Sequence, residues 1–154
     1  AHKHSRMVSL SLSDPFCVDR HRESFRALIS DHVDILFANE DEIMSLYEVE
    51  NFDDALQHVR QDCRIAALTR SEKGAVVVSG DEVHVVDAEP VSAVVDTTGA
   101  GDQFAAGFLH GYTRGDDLAT CAQIGAITAA EVIDHVGPRP QVSLAELVSA
   151  RLAG

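Results

Sequence analysis

The chain contains no tryptophan and few other aromatic residues, and it has only three cysteines and four prolines. No apolar run approaches the roughly 18 residues of a membrane-spanning helix. The cysteines, Cys17, Cys63 and Cys121, are odd in number and far apart. This pattern excludes a disulfide framework and a zinc site of the usual spacing, and it is typical of reduced thiols. We therefore predict a cytoplasmic protein without a membrane partner.

Positively charged residues are also scarce, since 12 lysines and arginines stand against 25 aspartates and glutamates. The resulting net charge of −13 excludes DNA, RNA and anionic membranes as the main partner. A phosphate-containing ligand would have to be held by backbone N–H groups, a metal ion and a few local cations. The 154 residues, of which 45% are hydrophobic, suffice for one globular domain with a sizeable core.

The order of the apolar runs predicts an α/β protein. Short runs typical of strands alternate with segments whose apolar residues recur at helical spacing. The predicted strands cover residues 7–12, 33–38, 65–69, 74–79, 83–87 and 91–95, and the predicted helices cover 19–30, a short stretch after Asn39, 51 or 52 to between 60 and 63, 104–112, 118–136 and 143–152. Gly80 and Asp81 would turn a hairpin, and Asp116 would cap the helix that follows Gly115. This order gives a mainly parallel sheet covered on both faces, with ligands at the carboxyl ends of its strands.

One loop stands out, with the sequence Asp96-Thr97-Thr98-Gly99-Ala100-Gly101-Asp102. It leads from an apolar run into a helix, so its backbone N–H groups would be open to an anion. Asp102 would repel a phosphate that was merely held there. Its presence makes sense if the loop stabilises a phosphoryl group in transit while Asp102 takes a proton from the attacking hydroxyl. The alternative, at about even weight, is a glycine-containing turn in which Asp102 complements the helix dipole.

Two other phosphate-binding loops are excluded by pattern. A dinucleotide-binding loop would need a third glycine where Phe104 stands and a later strand that ends in an acidic residue. A P-loop would need Gly-Lys followed by Ser or Thr, which the loop lacks.

Three further segments carry candidate residues, and each has a structural reading that is favoured when it is taken alone. The run Asn39-Glu40-Asp41-Glu42 has the spacing of a helix-capping pair. The run from Thr69 to Gly74 connects a strand to the hairpin, although it adds Arg70 and Lys73 as cations. The small residues Ala122, Gly125, Ala126 and Ala129 would allow two helices to pack closely.

The Asp96–Asp102 run resembles the signature of the ribokinase-like (PfkB) small-molecule kinases. The resemblance covers essentially the whole chain and is nearest to bacterial members that act as adenosine or sugar kinases. It implies a ribokinase-like three-layer αβα fold with a mainly parallel sheet. It also implies Asp102 as the catalytic base and Gly99, Ala100 and Gly101 as an anion hole, which agrees with the needs of phosphoryl transfer.

The resemblance assigns roles to the other segments as well. Asn39 and Glu42 would help to place nucleotide phosphates and Mg²⁺, with Glu42 acting through water, since Mg²⁺ keeps several waters. Nucleotide contacts are implied for Thr69, Arg70, Ser71, Gly74 and Ala126. Ser71 stands where the family usually has glycine, which weakens that part of the assignment.

Family members often bind a monovalent cation such as K⁺ near the anion hole. By position, Asp96 and Thr98 would contribute to it, together with backbone oxygens around Val132, His135 and Gly137. Pro138 stands where many members have alanine, which departs from the family pattern.

The polar start of the chain is compatible with the end of a helix whose beginning is missing. We therefore predict that residues 1–154 are the C-terminal part of a single kinase domain and lack the N-terminal portion that carries the lid and most substrate contacts. The predicted function is ATP- and Mg²⁺-dependent phosphorylation of a hydroxyl on a nucleoside (adenosine-like) or a sugar. The alternatives are a nucleotide-binding or regulatory module without turnover and a different PfkB sugar kinase.

Overall fold

A computed structural model describes residues 1–153 and divides them into two compact units. One unit comprises residues 1–70 and 76–84, and the other comprises residues 71–75 and those from 85 onward. The strands are β1 (Ser9–Ser11), β2 (Ile35–Asn39), β3 (Ile65–Thr69), β4 (Ala75–Ser79) and β5 (Glu82–Val86). The helices are α1 (Pro15–His32), α2 (Glu40–Tyr47), α3 (Phe52–Asp62), α4 (Ala100–Arg114), α5 (Leu118–Ile133) and α6 (Leu144–Leu152), with short 3₁₀ turns at His2–His4 and Ser71–Lys73.

The strands form one five-stranded sheet in the order β1-β2-β3-β4-β5. The pairs β1–β2 and β2–β3 are parallel, and the two-residue connection at Gly80 and Asp81 permits only antiparallel pairing of β4 with β5. The αβα class with a mainly parallel sheet is thereby confirmed. In the register of β2 and β3, Asn39 lies opposite Thr69, so two predicted site residues end neighbouring strands on the side where α/β proteins bind ligands.

The core of the first unit lies between one face of the sheet and helices α1 to α3. Ile43 and Leu46 are fully buried, as the helical spacing predicts. The three helices are capped by Asp14, Asn39 and Asn51, whose side chains each accept a backbone N–H of the first turn. The alternate strand residues on the opposite face are buried too, which explains why β2, β3 and β4 are continuous apolar runs.

The second unit is built on the pairing of α4 with α5. A Cβ atom on Gly125 would lie 2.8 Å from the carbonyl oxygen of Phe104, so only glycine permits this approach. The Thr128 hydroxyl donates to the Gln103 carbonyl at 2.7 Å and ties the start of α4 to α5. The close-packing reading of the small residues is confirmed at Ala122 and Gly125, which are buried.

Several predicted elements differ from those in the structure. Residues 91–95 do not form a strand, because their backbone bonds to the end of α5: Val95 donates to the Ile133 carbonyl at 2.9 Å and Ala93 to the Asp134 carboxylate at 3.0 Å. The cap of α5 is Asp117 rather than Asp116. That helix ends at Ile133 and not at residue 136, because the following residues turn toward the start of α4.

Helix α1 begins four residues before its prediction, at Pro15, since Asp14 caps it and proline suits the first helical position.

Among residues 1–153, no helix has the length and apolarity required to span a lipid bilayer.

Candidate active site

The segment from Asp96 to Asp102, which we call the reaction loop, leads into the first turn of α4. Gly99 precedes the helix with φ of +79° and supplies no side-chain cap. The Ala100 N–H donates to the Thr97 carbonyl at 3.2 Å, and the Gln103 N–H donates to the Gly99 carbonyl at 2.9 Å. A Cβ at Gly101 would meet nothing within 4 Å, so the backbone there is open to an approaching group. First-turn N–H groups carry partial positive charge and have no helical partner.

Asp102 lies in this first turn and is exposed. Its backbone N–H is therefore among those of the first helical turn. The Ala100 amide is the exception in the expected anion hole, because it already bonds within the turn. The geometry consequently leaves Gly101 and Asp102 as the best-placed backbone donors for an anion.

Asp96 holds the loop in shape. One carboxylate oxygen accepts the Thr98 N–H and the other accepts the Gly137 N–H, both at 2.9 Å. The hydrogen bond from the Thr98 side chain, followed by the two backbone bonds, lowers the pKa of Asp96 from 3.8 to about 2. Asp96 is therefore a scaffold for the loop whether or not a cation binds beside it.

Pro138 lies directly against the reaction loop. A Cβ on Gly99 would come within 2.4 Å of the Pro138 Cβ, so glycine is required both for its positive φ and for this contact. The Gln103 side chain donates to the Pro138 carbonyl at 3.3 Å. The sequence singles out Pro138 as a departure from the family pattern, and the structure shows that it contacts Gly99.

In the first unit, Asn39 and Glu42 form a complete capping box. The Asn39 side chain accepts the Glu42 N–H at 2.8 Å, and the Glu42 carboxylate accepts the backbone and side-chain N–H groups of Asn39, each at 2.9 Å. The residue Glu42 is only 5% exposed. Burial is the main cause that raises its pKa, opposed by the bond from Asn39. The capping interpretation is confirmed.

Arg70 is held by neighbours and does not project freely as a cation. Its guanidinium bonds to Glu40 at 2.9 Å and lies 4.0 Å over the Phe52 ring. It borders a pocket of about 330 Å³ lined by Glu40, Met44, Glu50, Asn51, Phe52, Asp53 and Arg70. Three carboxylates line this pocket, so it is unsuited to a phosphate unless Arg70 leaves Glu40.

The connection from β3 to β4 contains two left-handed residues. Ser71 has φ of +52° and Gly74 has φ of +82°, and the Gly74 N–H donates to the Ser71 carbonyl at 3.1 Å. A Cβ at Gly74 would lie 2.0 Å from the Val86 carbonyl oxygen. The usual glycine at position 71 is thus explained by backbone conformation, and Ser71 retains that conformation.

The predicted site residues fall into two groups. Asp96, Thr98 and the run from Gly99 to Asp102 come together in the second unit, which also contains Ser71, Gly74 and the half-exposed Ala126. Asn39, Glu42, Thr69 and Arg70 lie in the first unit, at or near the ends of β2 and β3.

Sequence reasoning misses the partners that hold these residues. The Arg70 contacts with Glu40 and Phe52, and the contact of Gln103 with Pro138, join residues 18 to 35 positions apart. The sequence offers a signal for one of these contacts. Glu40 begins α2 and Arg70 follows the neighbouring strand β3, so an ion pair between them could be predicted.

A metal ion held directly by the protein would need a cluster of ligating side chains. Within residues 1–153, no group of three or more His, Cys, Asp or Glu side chains is arranged to hold an ion. Both oxygens of Glu42 already accept hydrogen bonds. The Glu42 carboxylate is therefore already engaged by Asn39.

Comparison with known proteins gives consistent results. Residues 1–144 match the family model described as pfkB family carbohydrate kinase. The chain is 36% identical over 121 residues to a cytidine kinase of Thermococcus kodakarensis, which covers 77% of this chain. Its fold matches the adenosine kinase of Sinorhizobium meliloti over the full chain, with TM-score 0.95 and 51% identity. It also matches a probable sugar kinase of Rhizobium etli over 99% of the chain, with TM-score 0.95 and 50% identity.

These similarities cover only part of each relative. The chain spans 43% of the cytidine kinase, 47% of the adenosine kinase and 46% of the probable sugar kinase.

Proposed function

The chain belongs to the pfkB family of carbohydrate kinases, and from this premise we propose that its protein transfers the terminal phosphoryl group of ATP to a hydroxyl of a nucleoside or sugar. We further propose that residues 1–154 are the C-terminal part of one kinase domain. The observation that carries the proposal is Asp102 in the first turn of α4, behind a left-handed Gly99. A base and a set of oriented N–H groups at one helix start are what phosphoryl transfer requires.

In the proposed reaction, the Asp102 carboxylate accepts the proton of the substrate hydroxyl. The hydroxyl oxygen then forms a bond to the terminal phosphorus of ATP, and the bond from that phosphorus to the bridging oxygen breaks to release ADP. The N–H groups of the Gly99–Asp102 turn, with Gly101 and Asp102 foremost, stabilise the negative charge on the transferred group. Asp96 keeps the turn in this shape through Thr98 and Gly137.

We also propose nucleotide-binding roles for residues outside the reaction loop. Asn39 and Thr69 end adjacent strands, which supports a position for both residues near the nucleotide. Arg70 would bind a phosphate of the nucleotide in place of its present partner, Glu40. Ser71, Gly74 and Ala126 are assigned by their match to the family pattern.

Bound Mg²⁺ would offset the charge of the phosphates, with Glu42 acting through water. A monovalent cation such as K⁺ at Asp96 and Thr98 is also a proposal. The free state of the three cysteines within the described chain supports a cytoplasmic location.

The substrate class is narrowed by the relatives. Both a cytidine kinase and an adenosine kinase resemble the chain at 36% and 51% identity, which supports a nucleoside. A probable sugar kinase matches almost equally well, so a sugar is the second candidate.

The decisive experiment measures phosphate transfer by the full-length protein across a panel of nucleosides and sugars. Asp102→Asn is expected to lower kcat by about 10²–10⁴-fold because the base is lost, while ATP still binds. The matched control is Asp116→Asn, which makes the same chemical change at an exposed residue beyond the end of α4.

An Asp102→Asn enzyme that works near the wild-type rate would contradict the base assignment. A wild-type protein that binds ATP yet phosphorylates no member of the panel would favour the alternative, a nucleotide-binding or regulatory module.

A further inference from the structure

The segment Gly137-Pro138-Arg139-Pro140-Gln141, which we call the strap, links α5 to α6 without forming a helix or strand. Two of its residues are prolines, whose rings fix the backbone φ angle. The strap is therefore stiff, and its position depends on what holds its two ends.

The first end of the strap contacts the reaction loop. The Gly137 N–H donates to Asp96, Pro138 lies against Gly99, and the Gln103 side chain donates to the Pro138 carbonyl. Any movement of this end would shift both the carboxylate that shapes the loop and the surface on which Gly99 rests.

The second end is fastened to Glu131 on α5. The Gln141 N–H donates to Oε1 of Glu131 at 2.9 Å, and Nε2 of His135 lies 3.4 Å from the same oxygen. The Glu131 side chain is only 8% exposed. Its other oxygen, Oε2, is buried and has no hydrogen-bond partner in the described chain.

Holding one backbone N–H with a buried carboxylate has an unfavourable free-energy cost. Burying a charged group costs free energy unless it is fully hydrogen-bonded, and alanine would suit the helix better. The position of Glu131 is explained by what its bonded oxygen does, which is to fix the far end of the strap.

We propose that Glu131 is a positioning residue for phosphoryl transfer, acting through the Gln141 N–H and the strap on Asp96 and Gly99. The proposal rests on the proposed kinase function for its effect on rate. Glu131 touches neither the reacting atoms nor the loop itself. Its role is to keep the strap where the first turn of α4 needs it.

The test compares Glu131→Ala with Glu131→Gln in the full-length protein. Alanine removes the acceptor, and kcat is expected to fall about 10- to 100-fold, since small displacements near the reacting atoms have effects of this size. Glutamine keeps an oxygen that accepts the Gln141 N–H, so it is expected to restore kcat to within about threefold of wild type. The KM for ATP should change less than about twofold in both variants, since neither touches the nucleotide.

Hydrogen exchange supplies a readout that does not depend on activity. The backbone N–H groups of Gln141 and Gly137 are expected to exchange faster in Glu131→Ala and at the wild-type rate in Glu131→Gln. Glu146→Ala, which removes an exposed glutamate of α6, is the control and should match wild type. If Glu131→Ala does not fold by circular dichroism, Gln141→Pro replaces it, because it removes the donor and leaves Glu131 in place.

Three outcomes would overturn the proposal: wild-type kcat and exchange in Glu131→Ala, equal loss in the alanine and glutamine variants, or a raised KM with unchanged kcat. If wild-type protein transfers no phosphate at all, the proposed function fails. The exchange rates still decide whether Glu131 fixes the strap.

Discussion

At Ser71 the backbone adopts a conformation that serine rarely takes. Its φ of +52° lies in the left-handed region, where a Cβ crowds the carbonyl oxygen at a cost of about 1–2 kcal/mol. Glycine avoids this cost but loses about 0.5–1 kcal/mol through its greater freedom in the unfolded chain. We therefore predict that Ser71→Gly raises the free energy of unfolding by up to about 1 kcal/mol, measured by urea denaturation.

The matched control for this prediction is Glu72→Gly in the same 3₁₀ turn. Glu72 does not have a positive φ, so this glycine should destabilise the protein by about 0.5–1 kcal/mol. Equal destabilisation by both glycines would show that residue 71 carries no conformational strain.

Among the secondary-structure elements, the packing of α4 against α5 depends most on glycines, which have no side chain to separate the two helices. A Cβ at Gly107 would lie 2.4 Å from the Thr128 hydroxyl oxygen and 2.9 Å from the Ile124 carbonyl oxygen. At Gly111 the nearest atom is the flexible end of Ile124, at 3.0 Å. The two glycines therefore offer a graded test of one interface.

We predict that Gly107→Ala destabilises the protein by about 1–3 kcal/mol, because overpacking forces the helices apart. Gly111→Ala should cost less, since the Ile124 side chain can turn away and alanine favours the helix by about 1 kcal/mol. Thermal unfolding of both variants measures the difference. If Gly111→Ala proved less stable than Gly107→Ala, the result would contradict this description of the α4–α5 contact.

Which elements could be predicted follows from how local their signals are. β2 and β3 were predicted well because each is an apolar run with a polar end, and α2 because its capping box lies within four residues. The run 91–95 looks like a strand by composition. It is not one, because its hydrogen bonds go to Ile133 and Asp134, about 40 residues later, and no local pattern reveals that.

The same limit applies to the candidate site. The loop from Asp96 to Asp102 can be proposed as a site from the sequence because its candidate residues are consecutive. The contact of Pro138 with Gly99 could not be predicted, since it joins residues about 40 positions apart. The family resemblance implies that Gly137 lies near Asp96, but no local pattern predicts the hydrogen bond between them.

For the molecule as a whole, acid is expected to be destabilising. Hydrogen bonds from the Val8 backbone, the Thr98 side chain and the Thr120 backbone are the main causes that lower the pKa values of Asp34, Asp96 and Asp117. A carboxyl whose pKa is lower in the folded state stabilises the fold above its unfolded pKa of 3.8, and that stability is lost as the pH falls through the folded pKa. For Asp96 the folded pKa is about 2.

We predict that the urea midpoint falls as the pH is lowered from about 5 to about 2, and that Asp96→Asn loses less over this range than wild type. Added salt should weaken the contrast, because the Asp96 side chain is partly accessible to solvent. Glu42 acts in the opposite direction. Because its pKa is raised in the folded state, its protonation at low pH stabilises the folded protein relative to the unfolded chain. Parallel losses in wild type and Asp96→Asn would refute the assignment.

The order of the sheet, β1-β2-β3-β4-β5, has a consequence for how the chain folds. Within the described residues, each strand after β1 is hydrogen-bonded to the strand that precedes it in the sequence, so these pairings follow the order of the chain. Loop-closure entropy rises with the length of chain between partners, and folding slows as contacts become less local. The sheet can therefore assemble strand by strand in the direction of synthesis, each new strand adding to an edge that the previous one has just formed.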